Sequence, residues 1–372
     1  MKPRILYISN EDRSLGGSSL SLKAMLDALG EDVEPVILFR EDGPACNFFR
    51  QNGYNCMVVP FNRGTFNHHG LSLALRFLPH LFADAILRRR CIRKVIDEIG
   101  RPALVHSNSG TVDIGLDIAR KAKVPHVWHI REYLDLGLHQ RPFPSWKSWK
   151  RKLKLSDTVI AISPGLLKHL GTGSNGICLP DAVLSAKDAV LKEKKEPYIL
   201  FLAGNISELK RPEEALQIFA GAGLPGYTLI FAGGIETAMK DKLEALADSL
   251  GVGKRIEFVP FVSDVRGILS YASALLVCTE YEGMGRVAIE AMFCGCPVIA
   301  RGSGGSADVL EGGLLGRLYT NAGKASLMLE EVCNTLPENQ LRSAQSEAVR
   351  KYSIENYGKK ILEIYNNSSL VL

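Results

Sequence analysis

The 372-residue sequence predicts an α/β protein built from two doubly wound domains, on three observations. Short uninterrupted runs of apolar and β-branched residues recur along the chain, each followed by a stretch with apolar residues at helical spacing. Buried strands alternating with helices imply parallel sheets covered on both faces. The length exceeds what one hydrophobic core usually spans. The pattern also breaks once, at a charged segment, and then restarts.

Taken in order, RILYIS (Arg4 to Ser9) passes through Gly-Gly-Ser-Ser into LSLKAMLDAL, the opening of a βαβ unit. EPVILF, NCMVVP, ALVHSN, HVWHI and DTVIAIS read as further buried strands. VLSAKDAVLKEKKEP is charged, poor in large apolar residues and stopped by Pro197, so it reads as a linker. YILFLAG, YTLIFAGG, RIEFVPF, ALLVCT and CPVIA then repeat the strand pattern, with PEEALQIFAGA and MKDKLEALADSLG as helices between them. The last segment places Ile354, Tyr357, Ile361 and Ile364 or Tyr365 on one helical face. The expected organisation is a first Rossmann-like domain over 1–182, a linker over 183–196, a second domain over 197–352, and a terminal helix over 353–372 crossing back to the first domain. Two such domains are expected to face a central cleft, and ligands of such sheets bind beyond the carboxyl ends of the strands.

Composition narrows the class. An apolar fraction of 46% with 23% charged residues is that of an ordinary soluble protein, and a net charge of +5 without a long basic block gives no reason to expect nucleic-acid binding. No secretory leader and no run of about 18 apolar residues is present, so a cytoplasmic location is expected, with peripheral contact at the inner face of the cytoplasmic membrane as an extension. The eight cysteines lack paired metal spacing and read as reduced, mostly buried small hydrophobes.

The chemistry concentrates in EYEGMGRVAIEAMFCGCPVIA, Glu280 to Ala300. ALLVCT ends a strand near Thr279, so Glu282 lies on the loop at its carboxyl end. Gly283, Met284 and Gly285 make a turn whose backbone can approach a ligand, and Arg286 and Val287 open a helix whose first amides suit a phosphate. Glu290, one turn into that helix, can accept hydrogen bonds from vicinal hydroxyls. Isolated glutamates are more often surface residues, and the neighbouring sequence is what decides.

Glu282 and Glu290 with seven residues between them, followed by AMFCGCPVIA and GGSADVLEGGLLGRLY, resemble the signature of retaining glycosyltransferases of family 4 (glycosyl transferases group 1), which have the GT-B fold. Asp308 stands where that family has Glu. The resemblance implies that Glu282 contacts a donor sugar and Glu290 a nucleotide ribose. LAGNISELKRPEEAL matches the family's phosphate clamp at Lys210, whereas Asn205 replaces a common arginine; Arg211 or Arg286 is the expected substitute. Gly16 and Gly17 match the Gly-Gly loop set against donor phosphates and acceptor, and Phe258 matches the base-binding position. His129 matches a histidine near the transferred sugar, and Arg131 and Glu132 extend the same segment towards the acceptor. Asp181 replaces a usual Asn.

The function so implied is a retaining, metal-independent hexosyltransferase. It would move sugar from a nucleoside-diphosphate sugar, with UDP or GDP expected, to a hydroxyl of a glycan or lipid-linked acceptor in surface polysaccharide, lipopolysaccharide or glycolipid synthesis. No Asp-x-Asp metal motif occurs and no cofactor is expected. The competing expectations are a GT-B sugar-nucleotide epimerase or phosphorylase and a degenerate, non-catalytic nucleotide- or glycan-binding scaffold. Two basic aromatic stretches, Arg76 to Lys94 and Phe143 to Asp157, suggest contact with anionic lipid, through Trp146, Trp149, Lys150 and Arg151 in the second.

Overall fold

A computed structural model describes residues 2–11, 15–67, 73–192, 194–262, 264–311, 316–335 and 338–369. The chain divides into two compact units. Unit 1 comprises residues 1–182 and 354–372, and unit 2 residues 183–353.

Unit 1 contains β1 (Arg4–Ile8), β2 (Glu34–Phe39), β3 (Asn55–Val58), β4 (Thr65–Asn67), β5 (Leu104–Ser107), β6 (His126–Ile130), β7 (Gln140–Pro142), β8 (Thr158–Ala161) and β9 (Gly176–Cys178). Seven of these form one parallel sheet in the order β3-β2-β1-β5-β6-β8-β9. The central strand β1 shows why its sequence has no polar alternation. Ile5 and Tyr7 enter the core on one face while Leu6 and Ile8 enter the core on the other, so every side chain after Arg4 is buried. The strands β4 and β7 form a separate antiparallel pair, too short and too polar to stand out in the sequence.

Unit 2 contains β10 (Glu196–Ile206), β11 (Thr228–Ile235), β12 (Ile256–Val259), β13 (Ala272–Val277), β14 (Val298–Arg301) and β15 (Gly316–Tyr319). They form a parallel sheet in the order β12-β11-β10-β13-β14-β15. Both sheets reverse direction of growth beside their first strand, so each has a topological switch point: between β1 and β5 in unit 1, and between β10 and β13 in unit 2.

Two boundaries deserve correction or detail. The segment 183–196, expected as a free linker, packs as part of unit 2. Val190 N donates to Phe293 O at 3.0 Å, Asp188 pairs with Arg266 at 2.5 Å, and Leu184 bridges to Ser353. Its few apolar and charged residues find partners that a count of large hydrophobes does not reveal. The terminal helix Ile354–Ser369 packs in unit 1 through Tyr357, Ile361 and Tyr365. Gly358 permits close approach there, since a Cβ would lie 2.1 Å from Ala28 O on the helix Gly17–Leu29.

Candidate functional site

In unit 2 the candidate residues converge at the switch point. The loops at the carboxyl ends of β10 and β13 carry Lys210 and Glu282, and the two side chains form an ion pair. The turn Glu208–Lys210 is followed by Arg211 with φ of 55°, a left-handed conformation that a non-glycine residue adopts at a cost of about 1–2 kcal/mol. Two carboxylates hold it there: Arg211 Nε donates to Glu214 Oε2 at 2.9 Å and Nη1 to Glu280 Oε2 at 3.0 Å. Glu214 is nearly buried and also accepts from Arg301 Nη2 at 2.5 Å. The short loop is thus strapped to the acidic loop by Lys210–Glu282 and Arg211–Glu280.

The glycine turn is equally constrained. Gly285 has φ of 73°, which favours glycine, and it directly precedes the helix Arg286–Phe293. Gly305, on the neighbouring helix Gly304–Leu310, lies so close that a Cβ would sit 2.3 Å from Gly283 O and 2.4 Å from Met284 Cα. Gly305 N donates to Glu282 O at 2.6 Å and Ser303 Oγ to Glu280 O at 2.6 Å. Two buried polar atoms at this turn have no hydrogen-bond partner among the described residues, Glu282 Oε2 and Ser306 Oγ. Orphaned buried polar atoms are costly and call for an explanation, and a polar ligand is one.

Glu290 lies on the same helix with one oxygen accepting from Arg286 Nε at 3.0 Å. Burial pushes its carboxyl up, and the adjacent guanidinium opposes that rise. Arg286 Nη2 also donates to Val183 O at 3.0 Å. Neither proposed substitute for the cation missing at Asn205 is therefore a free charge: Arg211 is neutralised by Glu214 and Glu280, and Arg286 is paired with Glu290. Asn205 is exposed at the end of β10, Val287 is half-buried, and the Met284 side chain is buried, so only its backbone faces the turn. Phe258 stacks on Phe231 with ring centroids 5.3 Å apart, and Lys240 lies over its other neighbourhood at 5.5 Å from the centroid. It borders a hollow of ≈ 510 Å³ lined also by Glu244, Asp248 and Glu257, which includes none of the acidic-loop residues.

In unit 1 Gly16 and Gly17 stand at the start of the helix Gly17–Leu29, as expected of the first strand-to-helix turn. A residue that sequence reasoning missed fills that position: Glu11 Oε2 accepts from Gly16 N at 3.0 Å and Ser19 N at 2.9 Å. A carboxylate at a helix N-terminus is favourable, and nothing in the pattern of the sequence singles this one out.

The segment expected to reach a substrate lies instead inside unit 1. Arg131 is buried and donates from Nε to Asp181 Oδ2 at 2.8 Å, from Nη2 to Asp181 Oδ1 at 3.0 Å, and from Nη1 to Asn108 Oδ1 at 2.6 Å. Tyr357 of the terminal helix donates to the same Asp181 at 2.9 Å. His129 is wholly enclosed, with Nδ1 3.1 Å from Arg131 Nη2, and burial beside that guanidinium holds its pKa well below the usual range. It is a neutral member of a buried network, not a surface group. Glu132 anchors the loop after β5, accepting from Ser109 Oγ and from Gly110 N at 2.8 Å. The physical reason is that β6 is an inner strand, so the residues at its end meet the loop after β5 and Asp181 beyond β9 before they meet solvent.

The proposed membrane residues divide in the same way. Trp149 is 2% exposed, donates from Nε1 to Gly110 O at 3.0 Å and packs on Trp128, so it belongs to the core. Lys150 and Arg151 are exposed on the helix Trp146–Leu155, and Trp146 is half-buried against Trp149. Among the described residues no helix is long and apolar enough to cross a membrane, and no group of three or more His, Cys, Asp or Glu side chains is placed to hold a metal ion.

Comparison with known proteins follows the same division. Residues 185–352 match the family described as "Glycosyl transferases group 1". The chain is similar to a D-inositol 3-phosphate glycosyltransferase of Mycobacterium sp. (strain JLS), 31% identical over 176 residues, which is 45% of this chain and 39% of that protein. The chain thus spans between 29% and 39% of the length of these curated relatives. Among solved structures it is similar to Anabaena Alr3699/HepE in complex with UDP-glucose, at a TM-score of 0.74 and 18% identity over 97% of this chain and 99% of that one. It is also similar to sucrose-phosphate synthase from Thermosynechococcus elongatus, at a TM-score of 0.73 and 18% identity over 98% of each chain. The matched segment and unit 2 share nearly the same bounds, 185–352 against 183–353, and the fold comparison extends over both units. The similarity to the glycosyl transferases group 1 family thus covers residues 185–352, and the chain as a whole has the GT-B fold.

Proposed function

We propose that the chain is a glycosyltransferase that moves a hexose from a nucleoside-diphosphate sugar to a hydroxyl of a glycan or lipid-linked acceptor, with retention at the anomeric carbon. The observation that carries the reading is the Lys210–Glu282 pair at the β10/β13 switch point, with Glu282 Oε2 and Ser306 Oγ buried and unpartnered beside the glycine turn. A diphosphate leaving group develops negative charge as the glycosidic bond breaks. Lys210 supplies a cation at that position, and the first amides of the helix Arg286–Phe293 supply aligned donors. On donor arrival Lys210 would exchange part of its pairing with Glu282 for the phosphate, which leaves the Glu282 carboxylate to accept from sugar hydroxyls. Glu290 is suited to vicinal ribose hydroxyls, because a carboxylate accepts two hydrogen bonds side by side.

A uridine nucleotide is the first donor to test, since the Anabaena neighbour was solved with UDP-glucose. The test is release of nucleoside diphosphate from UDP- and GDP-sugars by the full chain, with and without candidate acceptors, and with Lys210→Met alongside. Turnover of one donor class, suppressed about 10²–10³-fold in the variant, supports the reading. Tight nucleotide binding without any turnover, hydrolysis included, would replace it with a binding scaffold. Free UDP with an altered sugar and no acceptor consumed would point to an epimerase.

A further inference from the structure

We infer that unit 1 docks on an anionic lipid surface through the outer face of the helix Leu73–Ile99, within the first of the two basic aromatic stretches, rather than through the tryptophan-bearing second one. At 100° per residue, Phe82, Ile86, Arg89 and Arg93 fall within an arc of about 60°, spread over about 16 Å of helix. Phe82 is 71% exposed and Ile86 51%. Arg89, Arg90 and Arg93 are exposed, and among the described residues none of them pairs with a carboxylate. The opposite face of the same helix has a different character. Arg88 there is held by Asp84 at 2.7 Å, by Asp117 at 2.7 Å and by Asp113, while Cys91 and Val95 are buried.

The contrast is informative because a structural arginine is present for comparison. Arg88 has three carboxylate partners, whereas its outward neighbours have none among the described residues. Asp113 also pairs with Lys152 of the helix Trp146–Leu155, so that helix contributes to the inner anchorage of Arg88. The outer face of Leu73–Ile99 therefore presents two large apolar side chains set among cations that have no carboxylate partner among the described residues. A purely charged partner explains the arginines but leaves exposed Phe82 and Ile86 without a role. A bilayer with anionic headgroups satisfies both, since the apolar residues enter the acyl boundary while the guanidinium groups stay among the phosphates. Asp97 and Glu98 towards the end of the same helix, with Glu98 3.6 Å from Lys94, mark the limit of the basic surface.

The inference rests on unit 1 alone and is independent of the transferase reading. The experiment is co-sedimentation of the full chain with vesicles of phosphatidylcholine alone and of phosphatidylcholine with phosphatidylglycerol. Two variants run beside it, Arg89→Gln/Arg90→Gln/Arg93→Gln and Phe82→Ser/Ile86→Ser, with far-UV circular dichroism as the folding control; all five positions are exposed. Binding is expected to the anionic vesicles only, to weaken with salt, and to fall at least about tenfold in each variant. Equal binding to both vesicle types, no binding, or a triple variant that binds like the parent would overturn it. A double serine variant that binds like the parent would also overturn it, in favour of an anionic macromolecule read by charge alone.

Discussion

The buried Arg131–Asp181 pair gives the sharpest stability prediction. Arg131 and Asp181 have side-chain exposures of 5% and 2%, so water does not screen their interaction. Removing Asp181 by Asp181→Ala strands a buried guanidinium with Asn108 and His129 as its remaining side-chain partners, and strips Tyr357 of the acceptor that fixes the terminal helix. Breaking such a pair costs about 3–5 kcal/mol. With a urea slope of about 2–3 kcal/mol/M, the midpoint should fall by roughly 1–2.5 M. The assay is favourable because the three tryptophans, Trp128, Trp146 and Trp149, all lie in unit 1, so their fluorescence follows that unit. The companion variant Arg131→Met/Asp181→Leu removes both charges and should recover part of the loss. A midpoint shift in Asp181→Ala below about 0.3 M, or a double variant less stable than the single one, would refute the claim that this network organises unit 1.

Further outcomes follow from the same geometry. His106, His126 and His129 are buried, and burial lowers all three pKa values, His126 to about 3. In the unfolded chain they bind protons near pH 6.5 while the folded unit does not, so each removes about 1.4 kcal/mol of stability per pH unit as pH falls below 6.5. Urea midpoints read by tryptophan fluorescence should drop steeply from pH 7 to pH 5, and a flat profile would contradict the neutral, buried assignment. Gly305→Ala must displace the Gly283–Met284 backbone, so a loss of about 1–3 kcal/mol in unit 2 and weaker nucleotide binding are expected; a variant unchanged in thermal melting and affinity would show the contact to be soft. Glu214→Ala removes one of the two carboxylates on Arg211 and the carboxylate partner of Arg301, and should lower transfer through the Lys210 loop; steady-state kinetics should show kcat more affected than KM, and unchanged kcat would contradict it.

Much of this was legible in the sequence because parallel strands buried on both faces announce themselves. ILYI and ALLV need no long-range information to be recognised. The acidic turn was equally legible: Glu282 falls at a strand end, the glycines follow, and Lys210 meets Glu282 because switch-point topology brings the ends of β10 and β13 together. Burial of polar residues was not legible. His129, Arg131 and Trp149 look like surface chemistry in a linear reading, and only the inner position of β6 and the packing of Trp149 against Trp128 place them inside. Ion-pair partners were hidden for the same reason, since Glu280, Glu214 and Arg301 are separated by up to 87 residues along the chain. Residues 183–196 read as linker because composition does not reveal a partner such as Phe293 O about a hundred positions away.

The most direct measurement on the central claim is calorimetric titration of the full chain with UDP, GDP and ADP and their hexose conjugates, repeated with Glu290→Ala and Lys210→Met. The account predicts that one nucleotide family binds. Glu290→Ala should weaken its binding by at least about tenfold, or 1.4 kcal/mol, and Lys210→Met should weaken the diphosphate more than the nucleoside alone. Absence of binding to every nucleotide, or binding that both variants leave unchanged, would contradict the placement of the donor at the β10/β13 switch point.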